Sequence, residues 1–363
     1  MKKTISYFLL MLSVFALSCN SDEDSSQQFS VEEAKQSMSK LSTDMSLDIV
    51  DLTQSEGVGA IGDLAALIQL SDPFNGRVMS EKESKKWFKK NARLFKRIFV
   101  GKSSKLAKTE DHGFDFSQHW GQYDWNPATE TFDKTETTEG IIEINFPAEG
   151  SAANNVTLRL TAFEEQLFED EFDHYYLPTL LNADLSVNKV KQIEIDFEAV
   201  FNSKGEPISG DVSLYLNPFT FVFAFDTSGA KQSNLEASIM KGSETIVSVN
   251  AALSFLTDQK EDIDNIDGFV QYKTIKLEGS IDVNGLENSN DPNPNTFVKL
   301  AMFNGGNKIG DIIFVTEVID QEEEDVPYIK YTDGTTEKLE DVLKPIFDEL
   351  DNLEMEIENW DIG

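Results

Sequence analysis

Gln192-Ile193-Glu194-Ile195-Asp196-Phe197-Glu198-Ala199-Val200-Phe201 is the stretch that decides the fold. Ile193, Ile195, Phe197, Ala199 and Phe201 alternate with Gln192, Glu194, Asp196 and Glu198. A period of two sets an oily face against a wet one and predicts a half-buried β-strand. The pattern recurs downstream in Phe219, Phe221, Phe223 and Phe225, then in Val247, Val249, Ala251, Leu253 and Phe255. Ile275, Leu277, Ile281 and Val283 repeat it, as do Val298, Leu300 and Met302. Short polar turns separate these runs, among them Ser203-Lys204-Gly205, Asn217-Pro218, Lys241-Gly242-Ser243 and Asn304-Gly305-Gly306-Asn307. Loops that short join antiparallel neighbours. From about residue 114 the sequence therefore predicts an antiparallel meander of about ten strands, a sandwich or half-barrel whose single apolar face needs cover.

Helical spacing flanks this region. Ser30-Val31-Glu32-Glu33 is a capping box, and Val31, Ala34, Met38, Leu41, Met45, Ile49 and Leu52 follow on one helical face. After a break at Gly57, a second apolar stretch runs through Leu64 and Leu67. A third helix is predicted from Ser80, with Lys85, Lys86, Lys89, Lys90, Arg93, Lys96 and Arg97 opposite Trp87, Phe88, Leu94, Phe95, Ile98 and Phe99. Thr336 reads as the N-cap of a last amphipathic helix through Leu339, Leu343, Phe347 and Leu353, a natural lid for the sheet. The expected class is α+β. Its segments are a leader at 1–18, a tether at 19–29, a helical region at 30–108, the β domain at 109–335 and the C-terminal helix at 336–363.

Charge narrows the function. With 31 Lys and Arg against 65 Asp and Glu in 363 residues, the formal charge is -34. Such a body is repelled by nucleic-acid phosphates, so no nucleic-acid partner is expected. The stretch from Arg77 to Lys108 opposes this trend with 12 basic residues and two acids. It has two readings, docking on the chain's own acidic sheet or contact with anionic lipid. A single Cys excludes a disulfide framework, a Cys-based zinc cluster and a CxxC redox pair.

That Cys has an address. Lys2 and Lys3 precede an apolar run from Ile5 to Leu17 that is too short for a permanent membrane span. The run ends in Ala16-Leu17-Ser18-Cys19, which resembles a bacterial lipobox. The resemblance implies cleavage before Cys19 and acylation of its thiol and freed amine, several chains together giving stable anchoring where one would not. Ser21-Asp22-Glu23-Asp24 follows, and resembles the export signal of surface-exposed outer-membrane lipoproteins of the Bacteroidota. It covers only the first 25 or so residues, and it implies a protein lipid-anchored in the outer membrane and facing the cell exterior.

Catalytic motifs fail on context. Gly57-Val58-Gly59-Ala60-Ile61-Gly62 matches GxGxxG, yet no buried strand precedes it and no βαβ unit follows, so a flexible helix connector is expected. Asp262, Asp264 and Asp267-Gly268 approach a calcium loop, but Ile266 occupies a ligand position and an acidic turn is the preferred reading. His112, His119 and His174 lack zinc spacing, and no GxSxG is present. No cofactor or metal is expected, and acid pairs such as Glu164-Glu165 arise by chance in so acidic a chain.

One candidate contact remains. Trp120, Tyr123 and Trp125, with Phe132, fall in one hairpin, and exposed aromatics on strands stack on sugar rings. The alternative is that they cover the junction between helices and sheet. Three functions follow: a non-enzymatic surface lipoprotein binding a carbohydrate, lipid or protein ligand; a hydrophobic-ligand carrier using the Phe219 to Phe225 face; or a polysaccharide hydrolase with an unidentified Asp/Glu pair. A membrane-spanning β-barrel is disfavoured by wet faces crowded with Asp and Glu.

Overall fold

The structure, a computed structural model, describes residues 30–67, 70, 114–135, 139–148, 150–169, 174–290, 293–319 and 321–344. Cys19, the run Ser21, Asp22, Glu23 and Asp24, the basic amphipathic segment and residues 345–363 lie outside them. The protein is mostly β, with N-terminal helices and one long open sheet. Its strands are β1 (Gly121–Asn126), β2 (Thr131–Lys134), β3 (Ile142–Pro147), β4 (Asn154–Glu169), β5 (His174–Val187), β6 (Val190–Phe201), β7 (Pro207–Leu216) and β8 (Phe219–Asp226). β9 (Gln232–Lys241), β10 (Glu244–Phe255), β11 (Ile263–Tyr272), β12 (Ile275–Asp282), β13 (Val298–Asn304), β14 (Asn307–Ile319), β15 (Glu322–Tyr331) and β16 (Thr336–Lys338) complete it.

The sheet has 16 strands where the alternation predicted about ten. Period-two counting loses phase at bulges, and the β4–β5 pair alone has two, with Thr161 the extra residue on β4 and Thr179 the extra residue on β5. Strand order is sequential from β16 to β3, then β1 and β2. The pairings within β3–β7 and β9–β16 are antiparallel, but β1 lies parallel to β3, with Tyr123 opposite Ile144. The start of β3 therefore stands at the start of β1, with Ile142 opposite Gly121. Thr336 is a second correction: it opens β16, and the C-terminal helix begins at Leu339, described through residue 344.

Two compact units divide the chain, residues 54–224 in one and residues 1–53 with 225–363 in the other. In the latter, α1 (Val31–Thr53) opens as its capping box predicts. Glu33 N–H donates to Ser30 Oγ (3.3 Å) and Ser30 N–H donates to Glu33 Oε2 (3.0 Å). Ala34, Met38 and Leu41 are buried as their spacing requires. Polar side chains then fix the helix across one end of four hairpins. Asp51 meets Lys241 (2.5 Å) at the end of β9, Asp48 accepts from Tyr272 (2.6 Å) at the end of β11, Asn304 at the end of β13 donates to Ser37 (2.9 Å), and Lys35 meets Glu337 (3.0 Å) on β16. One helix thus bridges these successive turns.

Asp48 also pairs with Lys273 Nζ at 2.7 Å. Burial raises its pKa, but hydrogen bonds from Lys273 and Tyr272 and the charges of Lys273 and Lys241 outweigh burial, so the net shift is downward. Glu337 is lowered by the hydrogen bond from Lys35, with a further one from Tyr331 opposing burial. Carboxyls lowered on folding stabilise above their unfolded pKa and lose that stabilisation as pH falls through the folded value. Acidification from pH 6 to below the usual Asp range near 4 is therefore expected to loosen α1 before the sheet melts. Amide exchange along α1, measured against β10 over that range, checks it. Asp48→Asn should remove about 1 kcal/mol at pH 7 and flatten the acid dependence, the pair being partly exposed; an unchanged acid profile would sink the assignment.

In the other unit, α2 (Glu56–Leu67) is capped by Ser55, whose Oγ accepts the Val58 N–H (3.2 Å). The glycine motif is not a flexible connector, because Gly57 to Gly62 are helical. Gly57 N–H donates to Asn217 O (3.0 Å), so the helix start presses on the turn between β7 and β8. Ala60 then joins Tyr123, Ile142, Ile144, Phe146, Val156 and Leu185 in the buried cluster, with Leu64 and Leu67 packed against it. Gln192 is buried on the predicted wet face. It receives Asn217 Nδ2 (3.0 Å) and donates to Glu56 Oε2 (3.3 Å), which satisfies the amide.

Candidate functional site

β1 has two faces, and each carries candidate residues. Tyr123 points inward and is 4% exposed, its hydroxyl donating to His119 O at 2.8 Å. Trp125 lies opposite Phe132 in the β1–β2 register, their rings meeting edge to face at 5.2 Å. Trp120 meets Phe116 in the same way at 6.3 Å. Trp120 and Trp125 are half-buried and pack on the same cluster as Tyr123. The structure thus brings the three aromatics together on the core side of the sheet.

The opposite face of β1, β3, β4, β5 and β6 is polar and ordered by side-chain bonds. Gln122 Nε2 donates to Asp124 Oδ2 (3.0 Å), Asn145 Nδ2 donates to Asp124 Oδ1 (3.0 Å), and Thr157 Oγ1 donates to Asn145 Oδ1 (2.7 Å). Register explains the row: Asp124 is opposite Asn145, and Asn145 is opposite Thr157. A second row runs through Gln122, Glu143, Arg159, Asp184 and Glu194, each opposite the next. Asp184 and Glu194 are like charges directly opposite, an arrangement that costs stability, and Lys191 offsets it by pairing with Glu194 at 2.5 Å. Lys191 has its own pKa raised by that hydrogen bond.

Arg159 stands at the centre of this face. Its Nε is 3.6 Å from Glu143 Oε2 and its Nη1 is 3.9 Å from Asp184 Oδ2, within ion-pair reach but beyond hydrogen-bonding distance. Nε is shielded from solvent without a hydrogen-bond acceptor. The planar fork is held in place by charge while its Nε donor is unmatched, a group suited to bidentate recognition. Asp124, Glu143 and Asp184 supply acceptors beside it. Arg159 is not among the residues the sequence pattern singles out, although a signal exists: it is the only Arg after residue 97, and it stands between Leu158 and Leu160.

The remaining candidates fall elsewhere. Glu165 has its pKa raised by burial, which the hydrogen bond from Phe114 N–H only partly opposes. His119 stacks on Phe114 at 5.0 Å. Asp264 and Asp267 lie within β11, and Asp267 accepts from Asn265 (2.5 Å), so these acids occupy a strand rather than a loop. Among the described residues, no group of three or more His, Cys, Asp or Glu is placed to hold a metal ion.

Fold and site together define an open-sheet protein with helices fixed to hairpin ends and a pre-ordered charged face. No protein-family profile matches the chain, and no curated protein or solved structure is significantly similar to it.

Proposed function

We propose that this chain is a non-enzymatic lipoprotein anchored through Cys19 in the outer membrane, facing the cell exterior, and that it binds a hydroxyl-rich ligand such as a glycan on the polar face around Arg159. The observation that carries the reading is the Arg159 guanidinium, partly exposed and held by charge between Glu143 and Asp184 at distances beyond hydrogen bonding. A vicinal diol accepts from such a fork and donates to the flanking carboxylates at the same time. The lipobox and the acidic run after it support the location.

The test is a glycan array probed with the mature chain, followed by titration of the hits. Arg159→Ala should weaken binding at least tenfold with the melting curve retained, and Arg159→Lys should fall between, since an ammonium cannot reproduce the fork. Equal affinity of wild type and Arg159→Ala would overturn the site, and release of new reducing ends would make the protein a hydrolase instead. In cells, Cys19→Ala should abolish palmitate labelling and free the protein from the membrane fraction. Replacing Asp22, Glu23 and Asp24 by Ala should keep it membrane-bound but shielded from added protease.

A second reading has its own support. Phe221, Phe223 and Phe225 in β8 are only half-buried, whereas Phe219 is 1% exposed. Such an apolar row would suit a hydrophobic-ligand carrier. Lipid co-purifying in native mass spectra would favour it over the glycan reading.

A further inference from the structure

The hairpin of β14 and β15 runs past its neighbours. β13 pairs with β14 only as far as Leu300 opposite Ile312, and β16 pairs with β15 only from Tyr328 to Lys330. Val315–Ile319 opposite Glu322–Val326 is therefore a two-stranded arm. Just past the last β13 pair, the Asn295 side chain takes a strand's place. Its Nδ2 donates to Phe314 O (2.7 Å) and its Oδ1 accepts Phe314 N–H (2.7 Å). Here α4 (Pro294–Phe297), which follows α3 (Val283–Asn288), lends one residue to the ladder and ends it.

Antiparallel alternation then sets which groups point outward. Phe314 turns its N–H and C=O away from β15, so Thr316 and Val318 do the same. Four backbone groups thus line the β14 edge with no strand partner among the described residues. The two edges of the arm differ in protection. On β15, Pro327 lies opposite Phe314, so its missing N–H falls on the outer edge beside Glu323 and Asp325. On β14 the segment Val315-Thr316-Glu317-Val318-Ile319 has neither Pro nor Lys, and Val318 is 72% exposed. Natural sheets blunt an edge that must stay single, and only one of these edges is blunted.

We infer that the β14 edge from Val315 to Ile319 is a strand-addition site for an extended, cationic peptide segment of a partner protein. Backbone groups of Thr316 and Val318 would supply its hydrogen bonds, and Val315, Val318 and Ile319 its apolar contacts. Charge selects the partner. Glu317, Glu322, Glu323, Glu324 and Asp325 surround the edge, and of these Glu317 is neutralised by Lys338 at 2.5 Å. A second copy would bring the same acids into a chain already at -34, so self-pairing is opposed.

The probe is a seven-residue peptide alternating Lys and Val, titrated into the mature full-length chain with a Glu-for-Lys peptide as control. Binding of the Lys peptide should fall steeply with salt and should slow amide exchange at Thr316 and Val318 at least tenfold, with no effect from the Glu peptide. Val318→Pro removes an outward donor that β15 does not use, so the hairpin stays intact and affinity should drop at least tenfold. Replacing Glu322, Glu323 and Glu324 by Gln should lower affinity while leaving peptide-induced protection in place at saturation. Undiminished binding by Val318→Pro, or binding without protection, would overturn the proposal. So would protection already present in the free chain, which would mean the chain's own residues cover the edge, or a dimer detected by sedimentation.

Discussion

Replacing Gly57 by Ala is expected to destabilise the unit that holds α2 by about 3 kcal/mol or more, although the residue lies in a helix that Ala favours. A Cβ at this position would sit 2.3 Å from Asn217 N and 2.3 Å from Leu216 C, both backbone atoms that cannot rotate aside. The helix would have to lift, losing the Gly57 N–H bond to Asn217 O and disturbing the Glu56, Gln192 and Asn217 network beneath it. Gly59 is the internal control, because a Cβ there meets nothing within 4 Å. Gly59→Ala should raise stability by about 0.5–1 kcal/mol through helix propensity and lost unfolded-state freedom. Urea midpoints of the two variants should therefore move in opposite directions. A shift of both to higher urea would show that the helix start does not touch the turn.

Gly279→Ala is expected to cost about 3–5 kcal/mol and to lower soluble yield sharply. Gly279 lies mid-strand in β12 at φ +151°, directly opposite Gly268 of β11 at φ +153°. A Cβ on Gly279 would fall 1.8 Å from Lys299 O on β13. The strand must therefore either flatten out of this conformation or break its pairing with β13. Gly242 is a useful contrast, since it also has positive φ but faces open space in the turn after β9. Gly242→Asn should change stability by less than about 1 kcal/mol, because Asn tolerates the left-handed region. Thermal melts of the two variants check the pair, and comparable losses would mean that backbone conformation alone, not the approach of Lys299, governs Gly279.

Local pattern made much of the architecture legible. The Ser30 and Glu33 capping box, the buried positions Ala34, Met38 and Leu41, and the alternation in β6 all follow from contacts within a few residues. The strand count did not follow, because bulges in β4 and β5 shift a face without leaving a mark in composition. The site was legible in part. Trp120, Tyr123 and Trp125 were found as a group, but which face they take depends on the parallel pairing of β1 with β3. Arg159 gains its meaning from Glu143 and Asp184, which lie on two other strands.

By itself the sequence determined period and sign of charge. These are sums over neighbours along the chain, so each residue contributes whatever the fold does with it. Tertiary structure alone decided that Gly57 is a contact rather than a hinge, that Gln192 is buried with its partners, and that Arg159 sits between two acids. Each of those depends on strand register, and moving one strand by a single residue would send every side chain on it to the other face.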